Sequence, residues 1–132
     1  MSNDFSGRTD RSDGPLAEWM ETLIGYVQSA RPDLTNRQMA LLLLVYLEPG
    51  PHTVRGLAAR LSVSKPVITR ALNTLGAHGY IRRQKDESDL RNIFVERTEA
   101  GQDFLQAFED LIAHGFGTRT ATSEVDARSP AH

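Results

Sequence analysis

The stretch VRGLAARLSVSKPVITRALNTL, Val54 to Leu75, decides how the rest of this chain is read. Leu57, Ala58 and Leu61 put apolar groups on the inner face of a short helix predicted over Val54 to Leu61, with Thr53 as its N-cap. Ala58 is small where two helices would cross closely. Ser62-Val63 forms a tight turn with Val63 as its plug. Ser64 then opens a second helix with Pro66 in its first turn, where the missing N–H is harmless. Ile68, Leu72 and Leu75 form its inner face, and His78-Gly79 ends it. Two helices at a steep angle, joined by a short plugged turn, make a helix-turn-helix.

The outer face of the second helix carries Pro66, Thr69, Arg70, Asn73 and Ala77 and no carboxylate. A helix lying in the major groove of duplex DNA wants that set of groups. Arg70 can fork onto O6 and N7 of guanine, Asn73 can do the same for adenine, and Thr69 suits a phosphate or a thymine methyl. Ser64 and Lys65 stand at the N-terminal end, where unpaired N–H groups and the helix dipole favour a phosphate.

Working outward, Tyr80 to Gln84 and Asn92 to Glu96 have strand character around the charged segment Lys85 to Arg91. This predicts a β-hairpin wing. Arg82, Arg83 and Lys85 at its base are candidate phosphate contacts. Arg91 beyond the tip is a candidate for the minor groove, where a narrow groove attracts arginine. Asp89 lies two residues away, in place to hold the Arg91 guanidinium. On the other side, a helix from about Thr35 or Asn36 to Leu47 is apolar nearly all round and predicts the buried centre of the fold, stopped by Glu48-Pro49-Gly50-Pro51. Before it, Leu16, Trp19, Met20, Leu23, Ile24 and Val27 recur at helical spacing from Pro15 to Ala30. After the wing, Thr98 caps a last helix with the stripe Phe104, Phe108, Leu111 and Ile112, ended by Gly115 and Gly117. Residues 1–14 and 118–132 read as a disordered leader and tail around a domain spanning 15–117.

The net charge of −2 would argue against a nucleic-acid partner, but its distribution argues for one. Between His52 and Arg97 there are nine Lys/Arg against four Asp/Glu, whereas both flanks are acidic. A basic middle on a near-neutral chain is a local electrostatic footprint. Other classes find little support. Cysteine is absent, which removes disulfides and thiolate metal sites and fits a cytoplasmic home. His52, His78, His114 and His132 do not fall at ligand spacing, so no metal or cofactor is expected. Ser62 and Ser64 have no histidine partner, and the chain is not read as an enzyme. The apolar run Met39 to Leu47 is too short to cross a bilayer. The fold class expected is mainly α with a small β-hairpin: a winged helix-turn-helix domain flanked by N- and C-terminal helices.

The stretch from Leu34 to Gly101 resembles the MarR family of winged-helix regulators. The resemblance is carried by Leu34-Thr35, Gln38, the run LAARLSVSKPVITRALNTL from Leu57 to Leu75, Gly79-Tyr80-Ile81-Arg82-Arg83, the wing Asp86…Asp89-x-Arg91, and Thr98-Glu99-Ala100-Gly101. It implies a bacterial-type, sequence-specific regulator of transcription, a homodimeric repressor on a pseudo-palindromic site of double-stranded DNA. It also implies a small-molecule effector, often an anionic aromatic, that weakens DNA binding. The helices 15–30 and 98–116 would then form the dimer interface through Leu16, Trp19, Met20, Leu23, Phe104, Phe108, Leu111 and Ile112. Three features depart from the family pattern. Leu90 stands where the wing often has an arginine, Arg97 replaces the usual leucine before Thr98, and little helix follows the wing. The acidic flanks and short dimer helices motivate a rival reading: a winged helix that docks on a protein partner, antirepressor-like, with weak or no specific DNA binding.

Overall fold

Thr35 starts the central helix with a reciprocal pair of bonds. The Gln38 N–H donates to the Thr35 hydroxyl (3.1 Å), and the Thr35 N–H donates to the Gln38 side chain (2.9 Å). This capping box fixes the first turn of a helix that would otherwise leave those donors unpaired. The computed structural model describes residues 13–120, with side chains to residue 114. Most of the expected leader and of the expected tail lie outside the described residues.

In chain order the elements are α1 (Pro15–Gln28), α2 (Asn36–Leu47), β1 (His52–Thr53), α3 (Val54–Leu61), α4 (Lys65–Ala77), β2 (Ile81–Lys85), β3 (Ile93–Arg97) and α5 (Glu99–Thr120). The described residues divide into two units, residues 32–106 and residues 13–31 with 107–120.

The first unit holds the helix-turn-helix. Its centre is fully buried Leu41, Leu42 and Val45 from α2 with Ile68, Leu72 and Leu75 from α4. Each such side chain contributes about 1.5–3 kcal/mol of hydrophobic stabilisation. Leu47, expected in this core, is 73% exposed instead, because it lies at the C-terminal end of α2. The predicted bounds of α3 match the observed ones, and Thr53 caps it by accepting from the Gly56 N–H at 3.0 Å. Ser62 takes the left-handed conformation (φ 58°), which turns the chain so that the Val63 N–H reaches the Ala58 carbonyl at 3.1 Å. At the end of α4, Gly79 (φ 82°) lets its own N–H reach the Gly76 carbonyl and the Tyr80 N–H reach that of Leu75. This paired closure satisfies two carbonyls the helix leaves open.

The expected hairpin is a three-stranded antiparallel sheet in the order β1-β3-β2. Ile81 pairs with Arg97 and Lys85 with Ile93 in one ladder, while His52 pairs with Val95 in the other. The third strand is only two residues long, too short to show any alternation in sequence.

A tyrosine hydroxyl ties these pieces together. Tyr46 Oη lies 2.8 Å from the Tyr80 carbonyl and 3.0 Å from that of Thr98, and accepts from the Thr98 N–H at 2.8 Å. The Thr98 hydroxyl donates to the Gly79 carbonyl (2.6 Å) and accepts from the Gly101 N–H (3.0 Å), which makes Thr98 the expected cap of α5. Arg97, where the family resemblance has leucine, donates to the Val45 carbonyl (2.8 Å) and the Glu48 carbonyl (3.3 Å), closing the C-terminal end of α2.

In the second unit Tyr26, Thr22 and Ala17 are buried. Phe108 meets Trp19 and Tyr26 edge to face, at 6.2 and 5.6 Å between ring centroids. Gly25 stands where an added Cβ would come within 3.0 Å of Leu111. The helix α5 continues to Thr120 rather than ending at Gly115 or Gly117. A glycine costs a helix interior only about 1 kcal/mol and keeps its N–H, so neither residue is a stop.

Candidate nucleic-acid interface

The recognition face is built by α4. Its inner residues Ile68, Ala71, Leu72 and Leu75 are buried, which leaves Lys65, Pro66, Arg70, Asn73 and Ala77 exposed and Thr69 half-buried. No acidic residue lies anywhere in the helix. Among the described ion pairs none involves Lys65 or Arg70, so no described residue neutralises their charges. Ser64 occupies the N-cap position, but its side chain makes no cap bond. The first-turn N–H groups therefore lack a side-chain acceptor at the end of the helix where an anion is favoured.

The wing is organised differently. Asp89 receives both Nε (3.1 Å) and Nη2 (3.2 Å) of Arg91, the fork expected from their spacing. The Arg91 N–H donates to the same carboxylate at 3.1 Å. Asp86 accepts from the hydroxyl (2.7 Å) and the N–H (3.0 Å) of Ser88. Backbone bonds from Asp86 to Asn92, Asp89 to Asp86 and Asn92 to Asp89 close the tip. Hydrogen bonds from Ser88 above all hold the Asp86 carboxyl below its ordinary range, and those from Arg91 do the same for Asp89. Arg55, exposed in the first turn of α3, adds a smaller attraction on Asp89 that Asp86 opposes.

Residues 34–93 match the model of the MarR family. The regulator AdcR of Streptococcus pneumoniae serotype 2 is 38% identical over 94 residues, 71% of this chain and 62% of that protein.

Residues 34–93 are a MarR-family domain.

The regulator Tm0710 of Thermotoga maritima superposes with a TM-score of 0.68 at 22% identity, covering 88% of this chain and 79% of that one. A structure of reduced AbfR bound to DNA superposes at 0.58 and 23% identity, over 74% and 66%. At these identities the likeness shows the fold, which among the described residues is five helices with a small three-stranded sheet. The chain spans between 50% and 65% of the length of the curated relatives it matches.

Within this MarR-family wing, the strand residues read as phosphate contacts fall into two groups. Arg82 is already engaged: its Nη2 and Nε donate to Glu96 across the ladder at 3.0 and 3.3 Å. The register pairs the two residues directly, which places their side chains on one face. Arg83 and Lys85 lie on the opposite face, exposed, and take part in no described ion pair. Glu96 and Arg55 were not singled out from sequence. Cross-strand register would have found Glu96; nothing in the local sequence marks Arg55.

The residues assigned to a dimer seam separate in the same way. Leu16, Trp19, Met20 and Leu23 are exposed by 61%, 45%, 50% and 41%, and Ile112 by 42%, while Leu111 is half-buried. Phe104 and Phe108 do not belong with them. Phe104 is 2% exposed and stacks on Tyr80 at 4.5 Å, and Phe108 is 6% exposed against Tyr26. Both rings are core residues of a single chain, because a periodic apolar stripe does not say what covers it.

Proposed function

We propose that this chain is a sequence-specific, double-stranded DNA-binding regulator of transcription, acting as a cytoplasmic homodimeric repressor on a pseudo-palindromic site. The observation that carries the reading is the outer face of α4, exposed and free of carboxylate, next in sequence to a wing with exposed Arg83 and Lys85. Lys65 and Ser64 would bind phosphate, and Arg70 and Asn73 would choose bases. No helix among the described residues is long and apolar enough to cross a membrane. The match of residues 34–93 to the MarR family model favours this reading over docking on a protein partner.

The second copy would be another molecule of this chain, seated on α1. Leu16, Met20, Leu23 and Val27 recur at steps of four, three and four residues, and all four are exposed. That spacing is the seam of paired helices. An apolar row of this kind left in water invites association. A small anionic aromatic effector that weakens DNA binding belongs to the same reading.

The test is selection of genomic DNA fragments by the purified protein at near-physiological salt. The expected result is an inverted repeat with half-sites about 34 Å apart, bound with an affinity that falls steeply with salt. Recovery of no enriched sequence, with binding indifferent to salt, would overturn it.

A further inference from the structure

Leu90 is 71% exposed at the tip of the wing. A lone exposed leucine is common on protein surfaces. This one differs in how it is held. The two carboxylates beside it are turned into the loop, Asp86 onto Ser88 and Asp89 onto Arg91. The three backbone bonds among Asp86, Asp89 and Asn92 leave the turn little freedom to fold the side chain back. The ladder behind it carries exposed Arg83 and Lys85. A stiff turn that holds an apolar side chain out loses little conformational entropy on insertion into a groove.

We infer that Leu90 is a specificity-determining residue that reads the minor groove by shape, selecting A·T pairs beneath the wing tip. This rests on the DNA-binding reading above. The chemistry is steric. The floor of the minor groove at G·C carries the guanine N2 amino group, which A·T lacks. An isobutyl side chain packed between the sugar edges sits deep over A·T and is held off by that amino group. It makes no hydrogen bond and carries no charge, so its contribution is independent of counterion release.

The experiment uses the full chain and a selected operator in which the pairs under the wing are A·T, G·C or inosine·C. Inosine keeps the pairing of guanine but lacks its N2 amino group. For the unaltered chain, the expected result is that A·T and inosine·C bind alike and G·C binds roughly five- to tenfold more weakly. Leu90→Ala should reduce that discrimination to less than about twofold, with an unchanged salt slope and an unchanged Tm, since the side chain is exposed. If Leu90→Ala keeps the full preference, or inosine·C behaves as G·C, the inference is overturned while the regulator reading stands. If the unaltered chain shows no sequence-selective binding at all, both fall together.

Discussion

The recognition helix and two arginines of the wing, Arg82 and Arg91, carry cations in opposite states. On α4, Lys65 and Arg70 face solvent on a helix with no acidic residue. On the wing, Arg82 is held by Glu96 and Arg91 by Asp89, at 3.0 and 3.1 Å. A helix cation that meets DNA gains a partner outright. Arg82 or Arg91, on meeting DNA, must exchange or share one. Exposed pairs of this sort are worth about 0–1 kcal/mol, so the exchange is cheap, but what the wing gains in net affinity shrinks accordingly. What the pairs supply is position: Asp89 holds the Arg91 guanidinium in one place before any ligand arrives.

Helix and wing are held in one frame, and the largest expected effect comes from breaking that frame. Gly101 is buried, and a Cβ added there would overlap the Tyr46 hydroxyl and the Tyr80 carbonyl oxygen. Those atoms join α2, the end of α4, the start of β2 and the end of β3. Gly101→Ala should therefore destabilise the chain by about 3 kcal/mol, as overpacking does. That corresponds to a fall of about 10 °C in Tm. Thermal unfolding followed by circular dichroism measures it, and an unchanged Tm would show that the seam relaxes freely and does not fix helix and wing together.

A smaller effect separates the two regions. Arg70→Ala should weaken binding to a selected operator by about 1–3 kcal/mol and relax the base preference at one position of each half-site. Arg82→Ala should cost less than about 1 kcal/mol and leave base preference alone, because its guanidinium already spends part of its charge on Glu96. Fluorescence anisotropy on matched and single-substituted operators compares them. Equal losses from the two substitutions would erase the distinction between unpaired Arg70 and paired Arg82.

Local chemistry made most of the frame legible in sequence, and long-range chemistry hid the rest. Thr53 and Ser64 mark the starts of α3 and α4 and Gly79 the end of α4, because caps and left-handed turns depend on residues within a few positions. The Asp89–Arg91 fork was readable for the same reason, being two residues apart. The Tyr46–Thr98 bond spans 52 residues and has no local signature. The Arg82–Glu96 pair needs the strand register, and the predicted strands each began one residue early. Phe104 and Phe108 show the commonest ambiguity: helical spacing identifies an apolar face but is silent on whether the chain itself or a second copy covers it.

The smallest effect sharpens the contrast without any substitution. Asp86 and Asp89 both titrate below the ordinary carboxylate value of 3.8, Asp86 through Ser88 and Asp89 through Arg91. A folded-state value lower than the unfolded one means that the charged form is the one the fold prefers. The stabilisation is therefore fully present above about pH 4 and is lost as pH falls through the depressed values. The amides of Ser88 and Arg91 donate to these carboxylates, so their NMR shifts should move with midpoints below 3.8. The amides of Thr69 and Asn73, on a helix without a carboxylate of its own, should not follow them. Between pH 6 and 8 both sets should stay still, which leaves the wing tip rigid wherever DNA binding is measured. Midpoints at or above the ordinary value would mean that the carboxylates are not the struts of the tip, and the wing would then differ from α4 in charge alone.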